Sequence, residues 1–240
     1  MTSRFSNKVA LVAGGTGGLG KAVSLAFLAE EASVVVTYRK PEEYEALQAA
    51  AGGASPSRLR GERVDITNEA AVGQLVQAIV AENGTLDALV NTVGGYVGGA
   101  KLWEIESKTF EQMLSLNLRS GYVLARAVAP AMLKQRSGSI VNVASKAAVE
   151  HAGGVAAYAA SKAAAVAMID SLAEDLRGTG VRANSILPSI IDTEINRKAM
   201  PKAEFSKWPK PEEIARVILF LCSDDARIVH GAAIPVYGDN

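Results

Sequence analysis

Tyr158 and Lys162 stand four residues apart, and Ser145 lies thirteen residues upstream, where the apolar stretch 139–144 ends. On a helix spanning 156–177 an i,i+4 pair shares one face, so the ammonium of Lys162 sits near the phenol of Tyr158. A neighbouring cation favours phenolate and draws the phenol down from its usual value of about 10, which suits a general acid or base. A serine hydroxyl beside the pair can hold the reacting oxygen. These three residues read as a proton-transfer site.

The rest of the chain must position them. With 240 residues and hydrophobic segments that keep alternating to the end, one large α/β domain over 1–240 is expected rather than two small ones. The 25 basic and 25 acidic residues cancel, which removes the long-range field that gathers nucleic acid or an anionic membrane. A small-molecule partner fits this balance better. Cys222 sits alone in the apolar run 217–222, so it reads as a buried structural thiol and no internal disulfide can form. The apolar segment 9–13 is too short for a signal-peptide core, and no uncharged run approaches the roughly 20 residues of a membrane span. A cytoplasmic protein is expected.

Short β-branched runs at 9–12, 34–37, 86–90, 140–143, 181–187 and 232–236, with a weaker one at 63–66, read as buried parallel strands. Helical spacing covers 18–30, 41–51, 68–82, 107–135, 156–177 and 211–223. This alternation predicts a doubly wound Rossmann-type fold, a mostly parallel seven-stranded sheet with helices on both faces. Thr67 or Asn68 can cap one helix, and Pro41 suits the first position of another. The irregular stretches are 52–57, read as a surface loop, and 94–99 and 192–210. The last two follow strand carboxyl ends, where open parallel sheets bind ligands.

Glycines at 14, 15, 17, 18 and 20 follow the first strand and open the first helix. Both Gly15-x-Gly17-x-x-Gly20 and Gly14-x-x-x-Gly18-x-Gly20 fit a dinucleotide-binding turn, with Thr16 and Leu19 inside it. Either brings backbone and a helix N-terminus to a pyrophosphate. After the second strand an acidic residue would accept from the ribose hydroxyls of NAD, but the chain reads Thr37-Tyr38-Arg39-Lys40. A guanidinium there suits a 2′-phosphate, so NADP(H) is favoured over NAD(H), the alternative being a solvated charged edge.

Taken together, Ser145, Tyr158 and Lys162, the glycines 14, 18 and 20, Asp65, the run Asn91-Thr92-Val93-Gly94 and Asn117 resemble the short-chain dehydrogenase/reductase family, from Lys8 to about Gly238. The resemblance implies that Tyr158 exchanges a proton with the substrate oxygen while hydride passes between substrate carbon and nicotinamide. It further implies that Lys162 lowers the tyrosine pKa and bonds the nicotinamide ribose, that Ser145 polarises the substrate oxygen and that Asn117 holds a water linking Lys162 to solvent. Asp65 and Ile66 would meet the adenine, Asn91 and Gly94 would line the cofactor, and Pro188, Ile191 and Thr193 would cover the nicotinamide. Ala13, Thr92-Val93 and Ser189 depart from the family pattern without removing a proton-transfer group.

His151, Glu150, Tyr96 and Trp103 are candidates to face the substrate, each with solvation or packing as the plain alternative. His230 has no companion at ligand spacing, so it reads as structural or solvated and no metal site is expected. The segment 193–209, with Met200, Phe205 and Trp208, is expected to form a movable lid. Eight alanines between 156 and 167, on more than one face, suggest a second buried surface. By family habit that points to a homo-oligomer, a tetramer before a dimer. The expected activity is interconversion of a ketone or aldehyde and its alcohol; the rival is a dinucleotide-binding sensor or scaffold without turnover.

Overall fold

Alternate residues of the central strands face two different cores. Ala10, Val12, Val34, Val36 and Val141 pack on one side of the sheet, with Phe27, Leu47 and Ile218 from the helices. Val9, Leu11, Leu89 and Ile140 pack on the other, with Val72, Ile79, Leu124, Met132 and Ile169. Burial on both faces is why these strands read as nearly continuous apolar runs. The computed structural model describes residues 3–52 and 57–239. Most of the surface loop expected at 52–57 lies outside them.

The elements run β1 (Val9–Ala13), α1 (Gly18–Ala29), β2 (Ser33–Tyr38), α2 (Pro41–Ala51), β3 (Leu59–Arg63), α3 (Glu69–Asn83) and β4 (Ala88–Asn91). There follow α4 (Ser107–Leu114), α5 (Ser120–Gln135), β5 (Gly138–Val143), α6 (Ala156–Asp175), β6 (Val181–Pro188), α7 (Glu194–Ala199), α8 (Pro211–Cys222) and β7 (Ala233–Val236). The sheet has seven strands in the order β3-β2-β1-β4-β5-β6-β7. Every pairing is parallel, so the sheet is parallel throughout rather than mostly so. Pro41 opens α2, and the Asn68 side chain accepts from the Ala71 N–H at 3.1 Å to cap α3.

Two expectations are corrected. The third strand is 59–63, ahead of the expected 63–66; its sequence Leu-Arg-Gly-Glu-Arg is an edge strand with one buried residue and carries little apolar signal. The helix expected at 107–135 is interrupted at Ser115–Arg119 by a π-helical turn, a local widening that recurs at functional sites. Asn117 lies in that turn, buried.

The order reverses between β1 and β4, and the carboxyl ends of these strands, with β5 and β6, carry the loops discussed next. Such a crevice is where open α/β sheets take ligands.

Candidate active site

The glycine turn fits a dinucleotide. Gly14 has φ of 71°, and a Cβ on Gly20 would lie 2.0 Å from the Gly14 carbonyl oxygen, so neither position accepts a side chain without rebuilding the turn. A Cβ on Gly17 would make only an ordinary contact of 3.5 Å. A Cβ on Gly15 would lie 2.5 Å from Val36, and one on Gly18 2.9 Å from the Thr193 side chain, so the turn excludes side chains at 14, 15 and 20, while 18 is crowded only by Thr193. Thr37 Oγ accepts from the Gly14 N–H at 3.0 Å, and Thr92 Oγ donates to the Ala13 carbonyl at 2.7 Å, so Thr92 braces the turn. α1 starts with no side-chain cap and no acid in its first turn, leaving its N–H groups to an anion. Gly20→Ala is expected to weaken dinucleotide binding more than tenfold in a fluorescence titration; unchanged affinity would mean that the turn is not the phosphate cradle.

Beyond the turn, Tyr38 stacks on Tyr44 with centroids 4.9 Å apart. Arg39 is exposed, and its charge helps to hold the Asp65 carboxyl below its usual value, after the hydrogen bonds from Thr67. Lys40 pairs with Glu43 at 3.3 Å, and the other Glu43 oxygen accepts from Thr16 Oγ at 3.2 Å. Arg39 thus has no carboxylate hydrogen bond among the described residues, while Lys40 is engaged. Three expected contact residues have buried side chains. Leu19 and Ile66 pack in the cores, and Asn91 accepts from the Val93 N–H and donates to Asn142 at 3.0 Å. Their side chains serve the fold, which leaves only their backbone open to a ligand.

The proton-transfer candidates converge at the floor of a cavity of about 980 Å³, lined among others by Ser145, Tyr158, Lys162, Gly94, Pro188 and Thr193. Ile191 lines it as well. Burial pushes the Tyr158 phenol above its usual value, a hydrogen bond with Ser145 pulls it down, and Tyr96 raises it. The ring of Tyr96 meets that of Tyr158 edge to face at 5.0 Å. Lys162 is fully buried, which lowers its ammonium to about 8; Nζ donates to the Val143 carbonyl at 2.9 Å. The expectation that Lys162 sets the tyrosine pKa is corrected for the free chain: desolvation of the phenol is the largest influence and Ser145 the one that opposes it.

Asn117 is placed by the π-helical turn so that its Oδ1 accepts from the Gly95 N–H at 2.9 Å. Its Nδ2 donates to the Gly95 carbonyl and to Ser161 Oγ, at 3.0 and 2.9 Å. It ties the loop after β4 to the helix carrying Lys162. A Cβ on Gly94 would stand 3.0 Å from Lys162 Nζ and 2.9 Å from Asn117 Oδ1, so only glycine leaves this approach open.

Around the mouth, Tyr96, Glu150, His151 and Met200 line the cavity. Trp103 does not: it is 79 % exposed beneath Lys101. Trp208, within the segment expected to form a lid, is buried. Ile190, inside the run 188–193 expected to cover the nicotinamide, lines the cavity too, as does Ile195, which sequence reasoning placed only in the lid segment. His230 bridges β6 and α6, accepting from the Ala183 N–H at Nδ1 and donating from Nε2 to the Ala173 carbonyl. Burial pushes the Cys222 thiol up to about 12.

A parallel doubly wound sheet with a glycine turn at its switch point defines a dinucleotide-binding fold. The chain belongs to the short chain dehydrogenase family, which it matches over residues 8–204. It is 33 % identical over 243 residues to the 3-oxoacyl-[acyl-carrier-protein] reductase FabG of Thermotoga maritima, covering 98 % of each chain. It is 34 % identical to the D-threitol dehydrogenase of Mycolicibacterium smegmatis, over 98 % of this chain and 93 % of that one. The solved structure of ElxO with NADP bound superposes with a TM-score of 0.90 at 26 % identity, covering 96 % of this chain and 97 % of that one. The protein is an NAD(P)-dependent oxidoreductase acting on alcohol and carbonyl groups. No described helix is long and apolar enough to cross a membrane.

Proposed function

We propose that the protein is an NADP(H)-preferring oxidoreductase that interconverts a ketone or aldehyde and the corresponding alcohol, with Tyr158 as general acid and base. The observation that carries this reading is the buried phenol hydrogen-bonded to Ser145 at the floor of the cavity. A bound reduced nicotinamide supplies the carbonyl carbon with a hydrogen and two electrons. Tyr158 gives the carbonyl oxygen its proton, completing the alcohol, and Ser145 orients that oxygen. The raised phenol pKa keeps the proton in place at neutral pH, which suits reduction; the reverse reaction needs phenolate and is expected to quicken as pH rises. Lys162, Gly94, Pro188, Ile191 and Thr193, which line the cavity, would hold the nicotinamide end. Asn117 holds the Gly95 backbone in register with Lys162.

The coenzyme preference rests on Arg39, the cation after β2 where an NAD-binding chain places an acid. Arg39→Ala is expected to weaken 2′,5′-ADP at least tenfold in calorimetry, a loss of about 1.4 kcal/mol, and to leave 5′-AMP within about twofold. Equal loss of both nucleotides would remove Arg39 from phosphate recognition. The whole chain acts as one catalytic domain in the cytoplasm, without a nucleic-acid or membrane partner. Exposed Ala160 and Ala167 on α6 and exposed Phe110 and Tyr122 on α4 and α5 support a homo-oligomer, which we take as a tetramer; light scattering at the mass of a monomer would refute it.

A further inference from the structure

The cavity lining divides by chemistry. Gly94, Pro188, Ile191 and Thr193 are the part assigned above to the coenzyme, Lys146, Glu150, His151, Ser189 and Asn196 are polar, and Tyr96, Ala152, Val155, Ile190, Ile195 and Met200 make a second, mainly apolar wall. Ile195 is 76 % exposed on the short helix α7, and Tyr96 and Ile190 are exposed as well. Large apolar side chains gathered at the mouth of one cavity mark a surface that is covered in use.

The polar groups that could serve a hydroxylated substrate are engaged within the protein. Thr92 Oγ donates to the Ala13 and Gly14 carbonyls. Ser189 Oγ donates to the Tyr237 carbonyl at 2.6 Å, Thr193 Oγ accepts from the Asn196 N–H, and Asn196 Nδ2 donates to the Ile191 carbonyl. Lys146 pairs with Glu150 at 3.4 Å and lies over the Tyr237 ring. Glu150 and His151 are at the exposed rim. Ser145 and Tyr158 therefore handle one oxygen, and further hydroxyls set against Val155, Ile190, Ile195 and Met200, away from the rim groups Tyr96, Glu150 and His151, would give up water without gaining a partner.

Building on the carbonyl/alcohol reading above, we infer that the substrate is a carbonyl compound with a single polar reacting end and an extended apolar body, not a sugar or polyol. The occupant of the second wall is that apolar body, held by Tyr96, Val155, Ile190, Ile195 and Met200. The product is the alcohol of the same skeleton.

The test uses the full chain loaded with NADP⁺, in which a ketone binds without being reduced, and measures affinity by calorimetry for 2-alkanones from butanone to 2-decanone and for the ketoses erythrulose and xylulose. Affinity is expected to rise about fourfold per methylene, with Ile195→Ser flattening the rise. The ketoses are expected to bind at least about a hundredfold more weakly than 2-heptanone, as two or more unpartnered hydroxyls imply. Alkanone binding that is undetectable or flat with chain length, or ketoses binding as tightly, overturns the inference. NADPH oxidation with the same alkanones separates the two readings. Graded binding without turnover leaves the substrate class standing and removes the acid/base mechanism, whereas turnover with flat binding does the reverse.

Discussion

Tyr158→Phe is expected to lower turnover about a thousandfold while NADPH affinity stays within about threefold. General acid–base assistance from a positioned side chain contributes roughly 10²–10⁴-fold, and here the phenol is the group that Ser145 holds at the cavity floor. Phenylalanine keeps the ring, its edge-to-face contact with Tyr96 and the packing of α6, so a folding defect is not expected. Pre-steady-state fluorescence resolves the two effects. The NADPH-binding phase should persist, and the phase that reports nicotinamide oxidation should vanish. Turnover within tenfold of the parent would remove Tyr158 from the chemistry and leave the protein a dinucleotide-dependent enzyme with another proton donor.

Lys162→Met is expected to abolish turnover and, in the free protein at pH 7, to raise stability. Burial lowers the ammonium from 10.5 to about 8, a cost of about 3 kcal/mol to the folded state at neutral pH. Methionine fills similar space but forfeits the bond to the Val143 carbonyl, worth about 1 kcal/mol. A net gain of about 2 kcal/mol follows, or roughly 4–8 °C in melting temperature for a chain of this size. The pH dependence has a definite sign. Between about 8 and 10.5 the unfolded lysine holds its proton while the folded one has lost it. The parent therefore gains stability as pH rises through that window. The advantage of the methionine variant should be full at pH 7 and largely gone by pH 10.5. An advantage unchanged at high pH would mean better packing, not relief of a buried charge. No advantage at pH 7 would mean that the site tolerates the ammonium without cost.

Stability given up at this position has a use in the proposed mechanism, since a lysine near 8 is mostly charged at pH 7 and close enough to titration to respond to a ligand. Reduction is expected to hold up below pH 8 and to decline above it as Lys162 loses its charge. Asn117 belongs to the same design. Its two-way bond to Gly95 fixes the loop after β4 beside the lysine, and the π-helical turn is what lets the amide reach that loop.

Much of this was legible in the sequence because the signals are local. The glycines at 14, 15 and 20 are required by the close packing of one turn, and the apolar runs of the central strands reflect burial on both faces. What escaped depends on long-range packing. The edge strand 59–63 shows charged residues because only one of its side chains is buried. The π-helical turn at 115–119 changes hydrogen-bond partners without a compositional mark. The i,i+4 spacing placed Tyr158 and Lys162 on one helix face correctly, yet spacing alone could not reveal that desolvation outweighs the cation in setting the phenol. Trp103, a candidate for the pocket because it follows the Gly-rich loop 94–99, is turned outward, while Ile195 reaches the cavity from a segment with no periodic pattern.

The most direct measurement is a titration of the purified protein with NADPH and with NADH, followed by nicotinamide fluorescence. The account predicts that NADPH binds at least about tenfold tighter, a difference of about 1.4 kcal/mol, because Arg39 meets the 2′-phosphate. NADH binding as tightly or more tightly would contradict it.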